Sequence, residues 1–289
     1  MRRCDLHTHS NFSDGSCTPA EIIAEAQTRG VSAVALTDHN TAKGLSDFLL
    51  AGEGSGVECV AGVELTCEFK TREVHILALF LDESSYSVIE DITRAIAESK
   101  REKNIELVSA LCRDGYNISY DEILRKYPKG NINRAHIASE LVACGYVSSI
   151  SEAFSGVLRE GGEYYVPPQR PDAIEIIKKI DEICAVSVIA HPYLSLDEGE
   201  LDEFLRLASH AGLDGMEVKY TKYDKATEEK AEERARAYDL LFSGGSDYHG
   251  SVKPGTVLGH GYGELFVPYE YYELLRTRAE EKKKRKFKI

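Results

Sequence analysis

Nine histidines occur in the chain, and six of them (His7, His9, His39, His75, His191 and His249) stand beside an acid or at an end of an apolar run. In His7-Thr8-His9 the imidazoles are two residues apart, so an extended backbone sends both to the same side. Asp247-Tyr248-His249 repeats that placement with a carboxylate and an imidazole. Asp38-His39 follows Val34–Leu36, Glu64 follows Val60–Val63 and His191 follows Val188–Ala190, whereas His75 begins its run instead of ending it. Imidazole nitrogen and carboxylate oxygen without thiolate suit zinc, manganese or iron better than calcium. One such histidine alone would be an ordinary core or surface residue. Two paired motifs, an Asp-His and a Glu, all where strands should end, are read as metal ligands that converge in space. His210 and His260 lack that setting and are read as structural or surface residues.

Convergence requires elements that end on a common face. Seven short β-branched or apolar runs read as strands: Arg3–Leu6, Val31–Thr37, Val57–Glu64, Val74–Leu81, Ala185–Ala190, Gly215–Tyr220 and Leu240–Gly244. Helical segments separate most of them, the pattern of parallel strands joined by crossover helices, and in a parallel barrel the C-terminal strand ends open on one face. The first crossover has Thr18 as N-cap, Pro19 at the first helical position, Glu21 to close a capping box and Gly30 as stop. From about Arg94 to Val166 the strand signal disappears. Capped helices follow instead, with Ser119 and Glu122, Asn133 before Arg134–Cys144, and a run through Ala153–Leu158. The expected division is therefore 1–93 with 167–289, and an all-helical insertion over 94–166. Pro167-Pro168-Gln169-Arg170-Pro171 reads as a stiff return segment.

The chain has 289 residues, 43% hydrophobic and 29% charged, which excludes disordered, collagen-like and coiled-coil classes. A net charge of −13 argues against a broad duplex-DNA-binding face. No run approaches the ~18 apolar residues of a membrane span. With no signal-like start, and with seven cysteines lacking any Cys-x-x-Cys pair, the expectation is a cytoplasmic protein with reduced thiols, Cys59 and Cys184 in the core. Lys282, Lys283, Lys284, Arg285, Lys286 and Lys288 read as a solvated, frayed tail.

Asp5-Leu6-His7-Thr8-His9-Ser10, Ser13-Asp14-Gly15, Leu36-Thr37-Asp38-His39-Asn40, Gly62-Val63-Glu64, Val74-His75, Ala190-His191-Pro192 and Gly245-Ser246-Asp247-Tyr248-His249 resemble, in order, the motifs of the PHP (polymerase and histidinol phosphatase) phosphoesterases. The resemblance implies an α/β fold, a distorted (β/α)7 TIM-like barrel, with a trinuclear metal site. It assigns His7, His9, Glu64 and Asp247 to one ion, Glu64, His75 and His191 to a second, and Asp14, His39 and His249 to a third. The ions would be manganese, iron or zinc. Three divalent ions against three carboxylates leave roughly three positive charges, suited to a phosphate and a metal-bridging hydroxide as nucleophile. Asp38 is read as an orienting group beside a ligand, and with His191 and His249 it makes up the expected catalytic set.

The insertion should choose the substrate. Arg134, in the first turn of its helix, could hold a second phosphate with the free backbone N–H groups there, and His136 could add a contact. Asn133-Arg134-Ala135-His136-Ile137 and Glu163-Tyr164-Tyr165-Val166-Pro167 are similar to the insertion of a subgroup acting on nucleoside 3′,5′-bisphosphates and short 5′-phosphorylated RNA, although that subgroup usually has Pro at the position of Ala135. Ser246, Lys219 and Tyr220 complete the expected substrate contacts. The expected partner is a small nucleotide or short RNA, with no membrane and no duplex DNA. The alternatives are a histidinol-phosphate phosphatase and a non-catalytic PHP module of a polymerase assembly.

Overall fold

In a computed structural model, residues 1–127, 132–159, 161–166 and 169–286 are described. Pro167, Pro168 and Lys288 of the expected return segment and tail lie outside them. The chain divides into two compact units, Met1–Asp91 with Pro171–Ile289, and Ile92–Arg170. Among the described residues no helix is long and apolar enough to cross a membrane.

The first unit is a seven-stranded barrel in sequence order: β1 (Arg3–Asp5), β2 (Val31–Leu36), β3 (Glu58–Phe69), β4 (Arg72–Leu79), β5 (Val186–Ala190), β6 (Gly215–Tyr220) and β7 (Leu241–Gly245). Around it lie α1 (Pro19–Thr28), α2 (Leu45–Gly52), the start of α3 (Tyr86–Arg113), α7 (Ala173–Glu182), α8 (Glu198–Ala211), α9 (Lys225–Ala237) and α10 (Tyr269–Lys286). The strands are apolar on both faces, as sheets covered by helices must be. Leu6, Val34, Leu36, Val63, Leu65 and Ile76 are fully buried. On α1 the Thr18–Glu21 capping box forms and Ile22, Ile23 and Ala26 face inward.

Not every strand is parallel. β4 pairs antiparallel with both β3 and β5, joined to β3 by only Lys70 and Thr71, with Lys70 at φ 56°. This corrects the expectation of uniform crossovers and removes the anomaly of His75. Because β4 runs backwards, its start lies level with the ends of its neighbours, His75 being in register with Thr66 and Ala190. The β1 and β7 edges are joined by Leu6 N–H to Gly244 C=O (3.0 Å), Asp247 N–H to His7 C=O (2.9 Å) and His9 N–H to Tyr248 C=O (2.8 Å). Gly245 is required there, since a Cβ would lie 2.6 Å from His7 N and overlap its Cβ.

The tail also departs from expectation. α10 continues through Lys282, which is buried, donates to Ala185 C=O (2.9 Å) and pairs with Asp181 (2.9 Å) and with Asp214. Cys184 is buried but Cys59 is only partly so, and all seven thiols are free.

The second unit contains the rest of α3, then α4 (Tyr120–Lys126), α5 (Arg134–Ala143) and α6 (Ile150–Ser155). Its own core includes Leu107, Leu111, Ile123, Ile137, Leu141 and Leu158.

Candidate metal centre

Glu64, at the point where β3 passes the end of β2, is fully buried and faces five imidazoles. Its Oε2 lies 3.2 Å from His7 Nε2, 3.2 Å from His9 Nε2 and 3.0 Å from His39 Nδ1. Its Oε1 lies 2.6 Å from His75 Nδ1 and 3.1 Å from His191 Nε2. A second carboxylate, Asp247, sets Oδ1 3.3 Å from His9 Nε2, 3.8 Å from His7 Nε2 and 3.4 Å from His249 Nδ1. A third, Asp14, is 3.1 Å from His249 Nε2 and 3.9 Å from both His9 Nδ1 and His39 Nε2. All nine residues expected as ligands meet in one cluster.

Whether these donors fit cations is tested by their hydrogen bonds. His7 Nε2, both ring nitrogens of His9, Glu64 Oε2, His191 Nδ1 and His249 Nε2 are buried without a hydrogen-bond partner among the described residues. Polar atoms left that way are costly, and coordination to a cation would offset that cost where donors of His7, His9, Glu64 and His249 come close together. Three overlapping groups have donor atoms close enough to share an ion: His9, Asp14, His39 and His249; His7, His9 and Glu64; and His39, Glu64 and His75.

Electrostatics agree with a site built around positive charge. Burial works against ionised Glu64, yet His39, His7 and His75 hold it well below the usual carboxylate range. Asp14 and Asp247 are held low despite burial, chiefly by His249 and His9 respectively. Burial opposes the charged form of His75, but Glu64 and Glu73 raise it to about 10. His9 is raised to about 9 by Asp247 and Glu64 against burial. At His39 burial wins and lowers the ring to about 3.

Behind the nine lies a supporting layer. Glu217 on β6, fully buried, accepts from His191 N–H through Oε2 (2.7 Å) and lies 3.2 Å from His7 Nδ1 through Oε1. It turns the other nitrogen of His7 towards Glu64 and holds His191, whose backbone is left-handed at φ 31°. Sequence reasoning missed Glu217, although an acid between Met216 and Val218 in a buried strand was a signal. Asp38 takes Ser10 N–H (2.7 Å) and Ser13 Oγ–H (2.6 Å) on Oδ1 and Ser10 Oγ–H (2.6 Å) on Oδ2. Those bonds tie Asp38 to the loop bearing Asp14. Asp5 does the same for the β7 end, accepting Ser246 N–H, Ser246 Oγ–H and Gly259 N–H.

Several expected substrate contacts have other tasks. The Ser246 hydroxyl is committed to Asp5 and buried. Lys219 pairs with Glu228 (2.6 Å) and Glu232 (3.2 Å) of α9. A bulge between Glu217 and Lys219 turns Tyr220 inward, where its hydroxyl donates to Asp247 Oδ2 (2.9 Å) beside His191. His136 Nδ1 accepts Asn133 N–H, the helix-side half of a capping box, and its ring packs on Tyr127. Burial, then Lys100, lower its pKa, so it favours the neutral form. Arg134 opens α5 with its guanidinium 4.6 Å from the Tyr165 ring centroid and a donor 3.4 Å from Leu158 C=O.

Comparison with known proteins places this geometry. The PHP domain profile matches residues 5–260. A 5′-3′ exoribonuclease of Haemophilus influenzae is 30% identical over 86% of this chain and 90% of its own length. A 3′,5′-nucleoside bisphosphate phosphatase of Chromobacterium violaceum is 29% identical over 90% and 92%. Among solved structures, a candidate metal-dependent phosphoesterase of Bifidobacterium adolescentis superposes with a TM-score of 0.80 at 29% identity, covering 96% of each chain.

Proposed function

The chain belongs to the PHP domain family of metal-dependent phosphoesterases, and from that premise we propose that it releases nucleoside 5′-monophosphates by cleaving the ester on the 3′ oxygen of a 5′-phosphorylated nucleotide. A nucleoside 3′,5′-bisphosphate and a short 5′-phosphorylated oligoribonucleotide both present that bond. The observation that carries the reading is Glu64 set between two groups of imidazoles, with six buried donor atoms of the cluster lacking hydrogen bonds.

His7, His9, Glu64 and Asp247, then Glu64, His75 and His191, then Asp14, His39 and His249, are the three ligand sets of this reading. Divalent manganese, iron or zinc bound there supplies activated water at neutral pH and positive charge opposite the phosphoryl oxygens. The chain's own contribution is orientation. Glu217 fixes the His7 tautomer, Asp38 and Asp5 hold the loops of Asp14 and Asp247, and Tyr220 fixes the Asp247 carboxylate. Arg134 is assigned to the 5′-phosphate, because a guanidinium at a helix N-terminus pairs bidentately with phosphate while the first-turn N–H groups face it. The aromatic ring of Tyr165 limits its freedom.

The test is phosphate and nucleotide release by manganese-loaded protein from adenosine 3′,5′-bisphosphate, from a 5′-phosphorylated trinucleotide and from histidinol phosphate. The first two should be hydrolysed in preference to the third. Arg134→Ala should lower kcat/KM for the 5′-phosphorylated substrates by about 10–100-fold, the worth of a charged hydrogen bond, and barely affect a substrate without a 5′-phosphate. Inactivity on both nucleotides, or an equal loss on both substrate types, overturns the assignment.

A further inference from the structure

Building on the phosphoesterase reading, we propose that Lys253 binds the phosphoryl group being cleaved, its ammonium donating to a non-bridging phosphoryl oxygen beside Asp247. Cations held by the cluster would take part of the charge of a phosphoryl group, and a basic side chain at the edge of the cluster can take a further oxygen. Lys219, the lysine expected to serve, is turned towards the acids of α9. Lys253 instead places Nζ 2.8 Å from Asp247 Oδ2, while Oδ1 of the same carboxylate faces His9 and His249. The ammonium thus stands one carboxylate away from the imidazole cluster.

Its surroundings leave it available. The Lys253 side chain is 41% exposed against 10% for Asp247, so it lies where the buried cluster meets solvent. An ammonium has three donors, and among the described residues Asp247 is its one hydrogen-bond partner. Asp247 does not depend on it, because the buried Tyr220 hydroxyl holds the same Oδ2 at 2.9 Å. Lys253 can therefore swing to a phosphoryl oxygen without releasing the carboxylate.

The backbone before it is anchored. Gly250, at φ 64°, lies against the Ser16 hydroxyl and the Cys17 thiol, and Ser251 N–H donates to Ser16 Oγ (2.8 Å). Ser16 N–H in turn donates to His249 C=O (3.0 Å). The segments bearing Asp14 and Lys253 are thus stitched together, which sets the lysine at a fixed distance from the ligands.

The experiment measures three quantities on manganese-loaded wild type, Lys253→Met and Lys253→Arg: bound metal, the dissociation constant for inorganic phosphate, and turnover of adenosine 3′,5′-bisphosphate. The proposal expects Lys253→Met to weaken phosphate binding about 10–100-fold with metal content unchanged, and Lys253→Arg to recover most of the loss. Unchanged phosphate affinity in Lys253→Met overturns it. A fall in metal content that accounts for the weaker phosphate binding also overturns it, since Lys253 would then act through Asp247. Wild-type protein that binds phosphate yet hydrolyses no phosphate ester would sink the phosphoesterase reading instead, with the effect of Lys253→Met on phosphate affinity still measured.

Discussion

Five imidazoles cannot surround one buried carboxylate as five cations, nor can they all be neutral without stranding nitrogen atoms from hydrogen bonds. Glu64 therefore depends on the residues that dictate which nitrogen each ring presents. For His7 that residue is Glu217, whose removal should act on the metal before it acts on the fold. Glu217→Gln keeps the shape, and its amide can donate either to His7 Nδ1 or to nothing on the His191 N–H side. It should lower metal affinity about 10–100-fold, read as metal retained after dialysis against limiting manganese. Retention equal to wild type would show that the imidazoles are oriented by packing alone. Asp38→Ala should give a loss of similar size by freeing the Ser10–Ser13 loop and hence Asp14. Seven of the nine ligand candidates were legible because alternation along a strand and placement at apolar-run ends are local patterns, whereas His75 stood at the start of its run and Asp14 came only from the family resemblance. Glu217 and Asp5 gain their roles from partners more than two hundred residues distant, such as His7 for Glu217 and the Ser246 and Gly259 N–H groups that bind Asp5.

At the level of elements, seven strand runs and the Thr18 and Asn133 caps could be read from the chain, since periodicity and capping chemistry are short-range. The direction of β4 could not. An apolar run looks the same read either way, and what decides is the two-residue link Lys70-Thr71, too short for a parallel return. The basic C-terminal run misled for a related reason, because charge density reads as solvation until a buried partner is known. Asp214 is that partner, holding Ser187 N–H of β5 (3.0 Å) while pairing with Lys282 of α10. Lys282→Met should destabilise the protein by about 3 kcal/mol, the low end for orphaning a buried charge, because Arg278 still approaches Asp214 at 3.4 Å. Urea unfolding would register it as a lower midpoint with an unchanged slope. An unchanged midpoint would mean that the helix end is frayed in solution.

The whole molecule joins a rigid barrel to a cluster whose protons and cations compete for the same atoms, so its stability should respond to pH differently with and without metal. In metal-free protein His9 and His75 are raised to about 9 and about 10, above an unfolded value near 6.5. Their contribution is fully present below about pH 6.5 and is lost as pH rises through 9 and 10. Glu64, Asp14 and Asp247 are depressed, so theirs is present above about pH 4 and lost on acidification. His39, lowered to about 3, costs stability as pH drops below about 6.5. Chelated protein should accordingly be most stable on the mildly acid side of neutrality and weaken steadily from pH 7 to 10. With manganese bound, cations take the place of those protons, and each site adds about 2.7 kcal/mol at a hundredfold excess over its dissociation constant. The loaded protein should then hold its urea midpoint from pH 7 to 9 while the chelated protein loses it. Parallel pH curves for the two forms would mean that the imidazoles of the cluster are not where the metal binds, and the trinuclear assignment would have to be abandoned.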